Sequence, residues 1–109
     1  MIKQLNTEKN KTISPVDLDK VIHERMRLGI ITALAVHESL AFNDLKEILK
    51  ASDGNLSVHA KILEDSGYIK TKKAFVSRKP KTTYLITEKG RKELQVYLEN
   101  MENIIKNTM

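Results

Sequence analysis

Apolar residues recur at helical spacing through the first third of the chain, after a polar N-terminal stretch. Residues 1–13 are rich in Lys and Asn and have no sustained period, so we predict a flexible arm there. Ser14 and Pro15 have the residue types of a helix start. Apolar positions then follow three and four residues apart, at Leu18, Val21, Ile22, Met26, Ile30, Ile31, Leu34 and Ala35. This pattern fits one bent helix or two short helices, with a break at His23 and Glu24.

The middle of the chain predicts two further helices joined by a turn. Residues 39–42 fit a short strand, after which Asn43 is predicted to cap a helix with three inward residues, Leu45, Ile48 and Leu49. Gly54 is predicted to supply left-handed backbone in the turn. Asn55 is predicted to cap the next helix, residues 55–66, whose core-facing residues are Leu56, Ala60 and Leu63.

After Gly67, which has the position of a glycine that ends a helix, the period changes to that of strands. Residues 68–73 and 82–86 are rich in aromatic and β-branched residues and flank a tip that contains Pro80 and several Lys, which predicts a β-hairpin. Thr87 can cap a last helix that reaches about residue 106. That helix carries an apolar stripe made of Leu94, Tyr97, Leu98, Met101, Ile104 and Ile105.

The predicted order is helix, short strand, helix, helix, strand, strand, helix. This order predicts a mainly helical α+β fold, the winged helix-turn-helix, in which a three-helix core carries a hairpin wing. We expect residues 14–109 to form this single domain, with the C-terminal helix, residues 88–106, as a dimerisation helix.

Positive charge is concentrated in the predicted wing. The chain has 19 basic and 14 acidic residues, a net charge of +5. Residues 66–87 contain six of the basic residues and no acidic residue, which leaves 13 basic against 14 acidic residues elsewhere. Localised positive charge on an otherwise neutral body is typical of proteins that bind a polyanion.

Several classes of site find no support in the sequence. The chain has no Cys, so disulfides and thiolate metal sites are excluded. His23, His37 and His59 fall in three different predicted elements, so we expect no metal or other cofactor. We find no catalytic triad spacing and no nucleotide-binding Gly loop, and predict that the protein is not an enzyme. The N-terminus lacks the apolar region of a secretory signal, and no apolar run is long enough for a membrane span, so we expect a cytoplasmic protein.

An α-helix fits the major groove of DNA, and the predicted helix 55–66 presents residues suited to base edges and phosphates. Its candidate contacts are Asn55, Ser57, Val58, His59 and Lys61. For His59 two roles remain open, a contact to DNA and a hydrogen bond to the protein scaffold. The wing supplies further candidates for the phosphate backbone and the minor groove, namely Lys72, Lys73, Arg78, Lys79 and Lys81.

The segment from Ser57 to Leu63, Ser-Val-His-Ala-Lys-Ile-Leu, followed by Gly67, Tyr68 and Ile69, resembles the recognition-helix signature of ArsR- and MarR-like winged-helix regulators. Residues 79–91 resemble their wing and its exit into the last helix. The resemblance covers about residues 18–105. It implies a homodimer that binds a pseudo-palindromic operator in double-stranded DNA, usually as a repressor. Where this chain has Val58, the family commonly carries Arg or another polar residue.

The apolar stripe of the last helix is longer than a small domain can cover. We therefore predict that the stripe, including Leu94 and Tyr97, forms a dimer interface. Leu98, Met101, Ile104 and Ile105 in particular are expected to contact the second chain. No residue pattern assigns an effector. An alternative function is that of a winged-helix adaptor that docks an acidic protein partner through its basic hairpin. Binding to random duplex DNA at rising salt would distinguish the two functions.

Overall fold

The computed structural model describes residues 14–109, and its elements follow the predicted order. A short 3-10 helix at Pro15–Asp17 precedes four α-helices and three strands. In chain order these are α1 Arg25–His37, β1 Ser39–Ala41, α2 Phe42–Leu49, α3 Asp53–Asp65, β2 Ile69–Val76, β3 Lys79–Ile86 and α4 Glu88–Thr108. The winged-helix fold class is thereby confirmed. The predicted arm, residues 1–13, lies outside the described residues.

The segment that precedes α1 packs against the hydrophobic core. The Ser14 hydroxyl accepts a hydrogen bond from the backbone N–H of Val16, but the helix that starts there is only the 3-10 turn. Leu18 and Ile22 are nevertheless buried. Helix α1 starts after Glu24, whose carboxylate caps its first turn. The break at His23 and Glu24 is therefore confirmed, in the form of a turn before a single helix.

Helices α2 and α3 both start before the predicted caps. The strand β1 runs directly into α2 at Phe42, so Asn43 lies inside the helix and no side chain caps it. Helix α3 starts at Asp53 and is capped by Ser52, whose hydroxyl accepts a hydrogen bond from the N–H of Asn55 at 3.1 Å. The prediction that Asn55 is the cap was wrong because Ser52, three residues earlier, occupies that role.

Two further predictions in this region are corrected. Gly54 lies within α3, and the left-handed residue between the helices is Lys50, with φ of 53°. Ile48 does not point inward, because it is 50% exposed. Its neighbour Leu45 is fully buried, as predicted. Gly67, with φ of 82°, is confirmed as the left-handed residue after α3.

Strands β2 and β3 form the wing, an antiparallel hairpin closed by the two-residue turn Ser77–Arg78. Both turn residues have positive φ, which matches the right-handed twist of two-stranded ribbons. The prediction that Pro80 lies in the tip was wrong: Pro80 lies within β3, opposite Phe75. Since residues 76 and 79 form the hydrogen-bonded pair that closes the turn, Pro80 falls at a position where no N–H is required.

Helix α4 is fixed to the body at its first turn. The Thr87 hydroxyl accepts a hydrogen bond from the N–H of Gly90 and contacts the carbonyl of Gly67 at 2.7 Å. Strand β1 pairs with β3 on the side opposite β2, so the sheet order is β1-β3-β2. The buried core lies between this sheet and the helices, with its fully enclosed side chains at Ile22, Ile30, Ile31, Leu34, Leu45, Leu56, Leu63 and Ile69.

Candidate nucleic-acid interface

Helix α3 presents a polar face to solvent opposite its buried stripe. Leu56, Ala60 and Leu63 hold the helix in the core, which leaves four of the predicted contacts exposed, namely Asn55, Ser57, Val58 and Lys61. Val58 is 58% exposed. An exposed valine on such a face can contact the methyl group of thymine. The first two turns of α3 are therefore accessible to a groove of DNA.

His59 is attached to the scaffold. Its Nδ1 lies 2.9 Å from Nη1 of Arg27 on α1. Because a guanidinium can only donate, Nδ1 accepts and the ring proton resides on Nε2. The carboxylate of Glu24 lies 3.5 Å from the same Nδ1 atom. Of the two roles left open for His59, the structure supports the scaffold hydrogen bond, which joins α3 to the start of α1.

Arg27 and Glu24 orient each other as well as His59. Nε of Arg27 donates to the carbonyl of Val21 at 2.6 Å, and the backbone N–H of Arg27 donates to the Glu24 carboxylate at 2.8 Å. Burial would raise the pKa of Glu24, but the backbone N–H of Arg27 and the nearby His59 and Arg27 side chains together outweigh burial and lower this pKa below its usual value. The carboxylate therefore stays charged where α3 meets α1.

A groove of about 660 Å³ separates α3 from the wing. Two predicted contacts on α3, Ser57 and Lys61, line it together with Lys73 of the wing. Lys61 also pairs with Asp65 at 3.1 Å, and this hydrogen bond raises the pKa of Lys61. Because both side chains are largely exposed, the pair opens at little cost when phosphate competes for Lys61.

One acidic residue faces this groove. Glu64 lines it beside Lys61, so the basic character of the wing does not extend unchanged across the recognition face. Its charge, after burial, also contributes to a raised pKa of the Tyr84 hydroxyl on the groove floor. A phosphate is therefore favoured nearer to Lys73 than to Glu64.

The hairpin register divides the wing cations between two faces. Thr71 pairs with Tyr84 and Lys73 with Thr82, and all four residues line the groove beside α3. Since successive residues of a strand point to opposite faces, the remaining strand lysines lie on the other face. These are Lys70, Lys72, Lys79 and Lys81.

Arg78 lies in the turn itself. Lys79 and Lys81 line a second, smaller hollow of about 340 Å³ beside Asn43, at the start of α2. All five predicted wing contacts are exposed, but the structure brings only Lys73 into the groove with α3. The cations therefore surround the wing, an arrangement suited to a ribbon with a phosphate strand on either side.

The predicted dimer stripe on α4 has two parts. Leu94 and Tyr97 are buried within the chain, at 5% and 3% exposure, so they belong to its own core and are corrected as interface residues. Tyr97 also contacts Nδ1 of His23 through its hydroxyl at 2.8 Å. Leu98 and Ile105 are about half exposed, while two further residues pack partly against the core, namely Met101 and Ile104.

Sequence reasoning missed two residues of this region. Arg27 has no signal in the sequence, since nothing in its spacing indicates a contact with a histidine 32 residues later. Phe75 is 77% exposed near the end of the wing. Its period-2 relation to Thr71 and Lys73 was the available signal, because it places the ring on the same face as the groove.

Residues 14–109 contain neither a metal site nor a membrane-spanning helix. No group of three or more His, Asp or Glu side chains in this range is arranged to hold a metal ion. None of the helices formed by these residues combines the length and the apolar character that a membrane crossing requires.

Comparison with known proteins identifies the family. The family model described as "Winged helix DNA-binding domain" matches residues 26–105, which span α1 through most of α4. An uncharacterized protein of Methanocaldococcus jannaschii is 38% identical over 88 residues, which are 81% of this chain and 96% of that protein.

Solved structures agree with this assignment. The transcriptional regulator homologue from Pyrococcus horikoshii superposes with a TM-score of 0.77 at 30% identity, over 81% of this chain and 87% of that one. An ArsR family transcriptional regulator has the same fold, with a TM-score of 0.57 at 18% identity over 80% and 84% of the two chains. The chain therefore belongs to the winged helix DNA-binding domain family, and solved structures with the same fold include a transcriptional regulator homologue and an ArsR family transcriptional regulator.

Proposed function

We propose that this protein is a sequence-specific regulator of transcription that binds double-stranded DNA as a homodimer and represses the genes it controls. Helix α3 enters the major groove of each half-site, and the wing binds the neighbouring backbone and minor groove. The observation that carries the proposal is the placement of positive charge. The acid-free segment 66–87 forms the wing beside the exposed face of α3.

Each side chain has a role that follows from its position. Ser57 and Lys61 reach base edges or phosphates from α3, Asn55 lies one turn earlier, and Val58 packs on a thymine methyl. His59 holds α3 at its angle through Arg27. The wing cations neutralise phosphates, and their number sets affinity and salt dependence rather than sequence preference.

Dimerisation gives the proposed operator its symmetry. Two copies related by a two-fold axis place two α3 helices about one helical turn of DNA apart, about 34–36 Å, which requires a pseudo-palindromic site. The half-exposed residues Leu98 and Ile105 on α4 supply an apolar surface for the second chain. Repression follows if the bound dimer occludes the promoter.

The test is binding to a random-sequence duplex pool measured by fluorescence anisotropy at several salt concentrations. If about four wing cations each neutralise a phosphate, the slope of log K against log salt is about −3.6 per protomer. Arg78→Ala removes one contact and changes this slope by about 0.9. Lys106→Ala, in the last turn of α4, is the matched control and leaves the slope unchanged.

Absence of binding to the pool at low salt would overturn the proposal. Binding to an acidic protein partner in place of DNA would then assign the basic hairpin to an adaptor function. Retention and sequencing of the bound fraction of the pool yields the operator. A pool that shows no enrichment after several rounds would contradict sequence specificity while leaving DNA binding intact.

A further inference from the structure

The chain exposes one aromatic ring at the end of its wing. All five aromatic residues lie in the described part of the chain, and Tyr68, Tyr84 and Tyr97 are buried. Phe42 packs beside Tyr84 with ring centroids 6.3 Å apart. Phe75 is the exception, at 77% exposure. This large ring, two residues from the turn, buries little of its surface in the fold of its own chain.

The hairpin register gives Phe75 a supporting residue. Phe75 lies opposite Pro80 at a position without mutual backbone hydrogen bonds, where cross-strand side chains come closest. Pro80 has a fixed backbone angle, and the turn beyond it holds only Ser77 and Arg78. Ring and proline together form an apolar point on a short, narrow ribbon.

This apolar point continues the face that meets DNA in the proposed function. Phe75 follows Thr71 and Lys73 on one face of β2, and Pro80 precedes Thr82 and Tyr84 on the same face of β3. Those residues line the groove beside α3. The ring therefore extends beyond the recognition helix on the side from which the helix reads DNA.

Charge decides which partner fits. Cations lie on both faces of the ribbon at this end. Lys73 shares the face of the apolar point, Lys79 and Lys81 lie on the other face, and Arg78 is in the turn; segment 66–87 contains no acid. The matching surface has closely spaced negative charges with apolar surface between them. The minor groove of DNA has this composition, with phosphates along both walls and sugars and base edges between.

We propose that Phe75, supported by Pro80, is an apolar wedge that enters the minor groove and partly unstacks one base step. Arg78 and the neighbouring lysines hold the phosphates on either side of it. The inference rests on the proposed function and adds a mechanical step to it. Inserted apolar side chains kink duplexes by about 20–90°. Pyrimidine–purine steps unstack most easily, so the wedge favours such a step under each wing without a hydrogen bond to its bases.

The experiment compares Phe75→Ser with Phe75→Leu on DNA retained by the wild-type protein from the random pool. Duplexes of about 30 base pairs carry a dye at each end, so that energy transfer reports bending. Wild type and Phe75→Leu should raise the energy transfer, because both retain an apolar side chain. Phe75→Ser should bind about tenfold more weakly and leave the duplex straight. Its salt slope should match wild type, since no charge is lost.

The outcomes separate the wedge from the proposed function. If the wild-type protein binds no DNA, the proposed function fails. If Phe75→Ser binds and bends DNA like wild type, the wedge is wrong and DNA binding stands. Sedimentation with phosphatidylserine–phosphatidylcholine vesicles is the third arm. Vesicle binding that Phe75→Ser abolishes, with unchanged DNA bending, would overturn the wedge and assign the tip to an anionic membrane. An unchanged thermal midpoint verifies that each variant is folded.

Discussion

At Gly90 the first turn of α4 lies so close to the backbone of Tyr68 that no side chain fits. A Cβ atom built there would lie 2.1 Å from the carbonyl oxygen of Tyr68. Gly90→Ala must therefore displace α4 or the strand entry, and we expect it to lower the free energy of unfolding by about 2 kcal/mol or more in urea denaturation. Gly54→Ala is the control, because nothing lies within 4 Å of its Cβ position. It should leave stability unchanged or raise it by up to about 1 kcal/mol.

His59 and Ser57 lie two residues apart on α3, but we assign His59 a structural role and Ser57 a contact to DNA. Substituting each of them tests this assignment. Ser57→Ala should weaken DNA binding and change the free energy of unfolding by less than about 0.5 kcal/mol, because its side chain is exposed. His59→Ala removes the acceptor of the Arg27 hydrogen bond and should cost about 1 kcal/mol of stability. Parallel measurements of anisotropy and urea denaturation separate the two effects. Equal stability of both variants would contradict the scaffold role.

The first residues of α2 and α3 could not be predicted from the local sequence. Periodicity predicted both helices, since the residues that repeat along them fill one core. The caps were misplaced because Asn43 and Asn55 have good capping side chains. Residue type alone cannot rank Asn43 against the strand pairing before α2, or Asn55 against the earlier Ser52 before α3. At α2, strand β1 pairs with β3 up to Ala41 and leaves the helix to begin at once.

Helix α3 provides a prediction at this scale. The hydroxyl of Ser52 accepts the N–H of Asn55, so Ser52→Ala should lower the free energy of unfolding by about 1 kcal/mol. Asn55→Ala is the control and should change it by less than about 0.5 kcal/mol, because that side chain is exposed. Thermal or urea unfolding measures both. A larger loss for Asn55→Ala than for Ser52→Ala would place the cap where the sequence first indicated it.

The wing shows a second limit of sequence reasoning. Composition alone located the hairpin and its charge, because β-branched residues and lysines cluster between Tyr68 and Thr87. Which face each lysine occupies depends on the register, and the register depends on the turn. With the tip assigned around Pro80, that face could not be derived. The two-residue turn Ser77–Arg78 fixes every pair from Val76 with Lys79 back to Ile69 with Ile86.

Across the whole molecule, the proposed surface for DNA and the proposed surface for a second chain use different parts of the fold. The former consists of α3 and the wing, and the latter of the outer side of α4. The sequence predicted this separation, since basic residues and the long apolar stripe occupy different segments. It could not divide the stripe, because the burial of Leu94 and Tyr97 depends on how far α4 lies against α1 and the turn before it.

The proposed dimer gives the prediction for the assembled molecule. Leu98 and Ile105 are seven residues apart and lie on one side of α4, at 48% and 51% exposure. The double substitution Leu98→Lys and Ile105→Lys places two charges in the proposed interface, where unpaired charge is costly, and should give a monomer in sedimentation equilibrium. Val96→Lys is the matched control, because Val96 is 41% exposed on another side of the helix. It should remain a dimer. All variants should keep the helical circular dichroism of wild type, since the core residues are untouched.

The monomer should bind one half-site with an unchanged α3 but lose the affinity gained when both half-sites are engaged at once. A double variant that stays dimeric would place the interface outside this side of α4, and a wild-type protein that sediments as a monomer at all concentrations would contradict the homodimer itself.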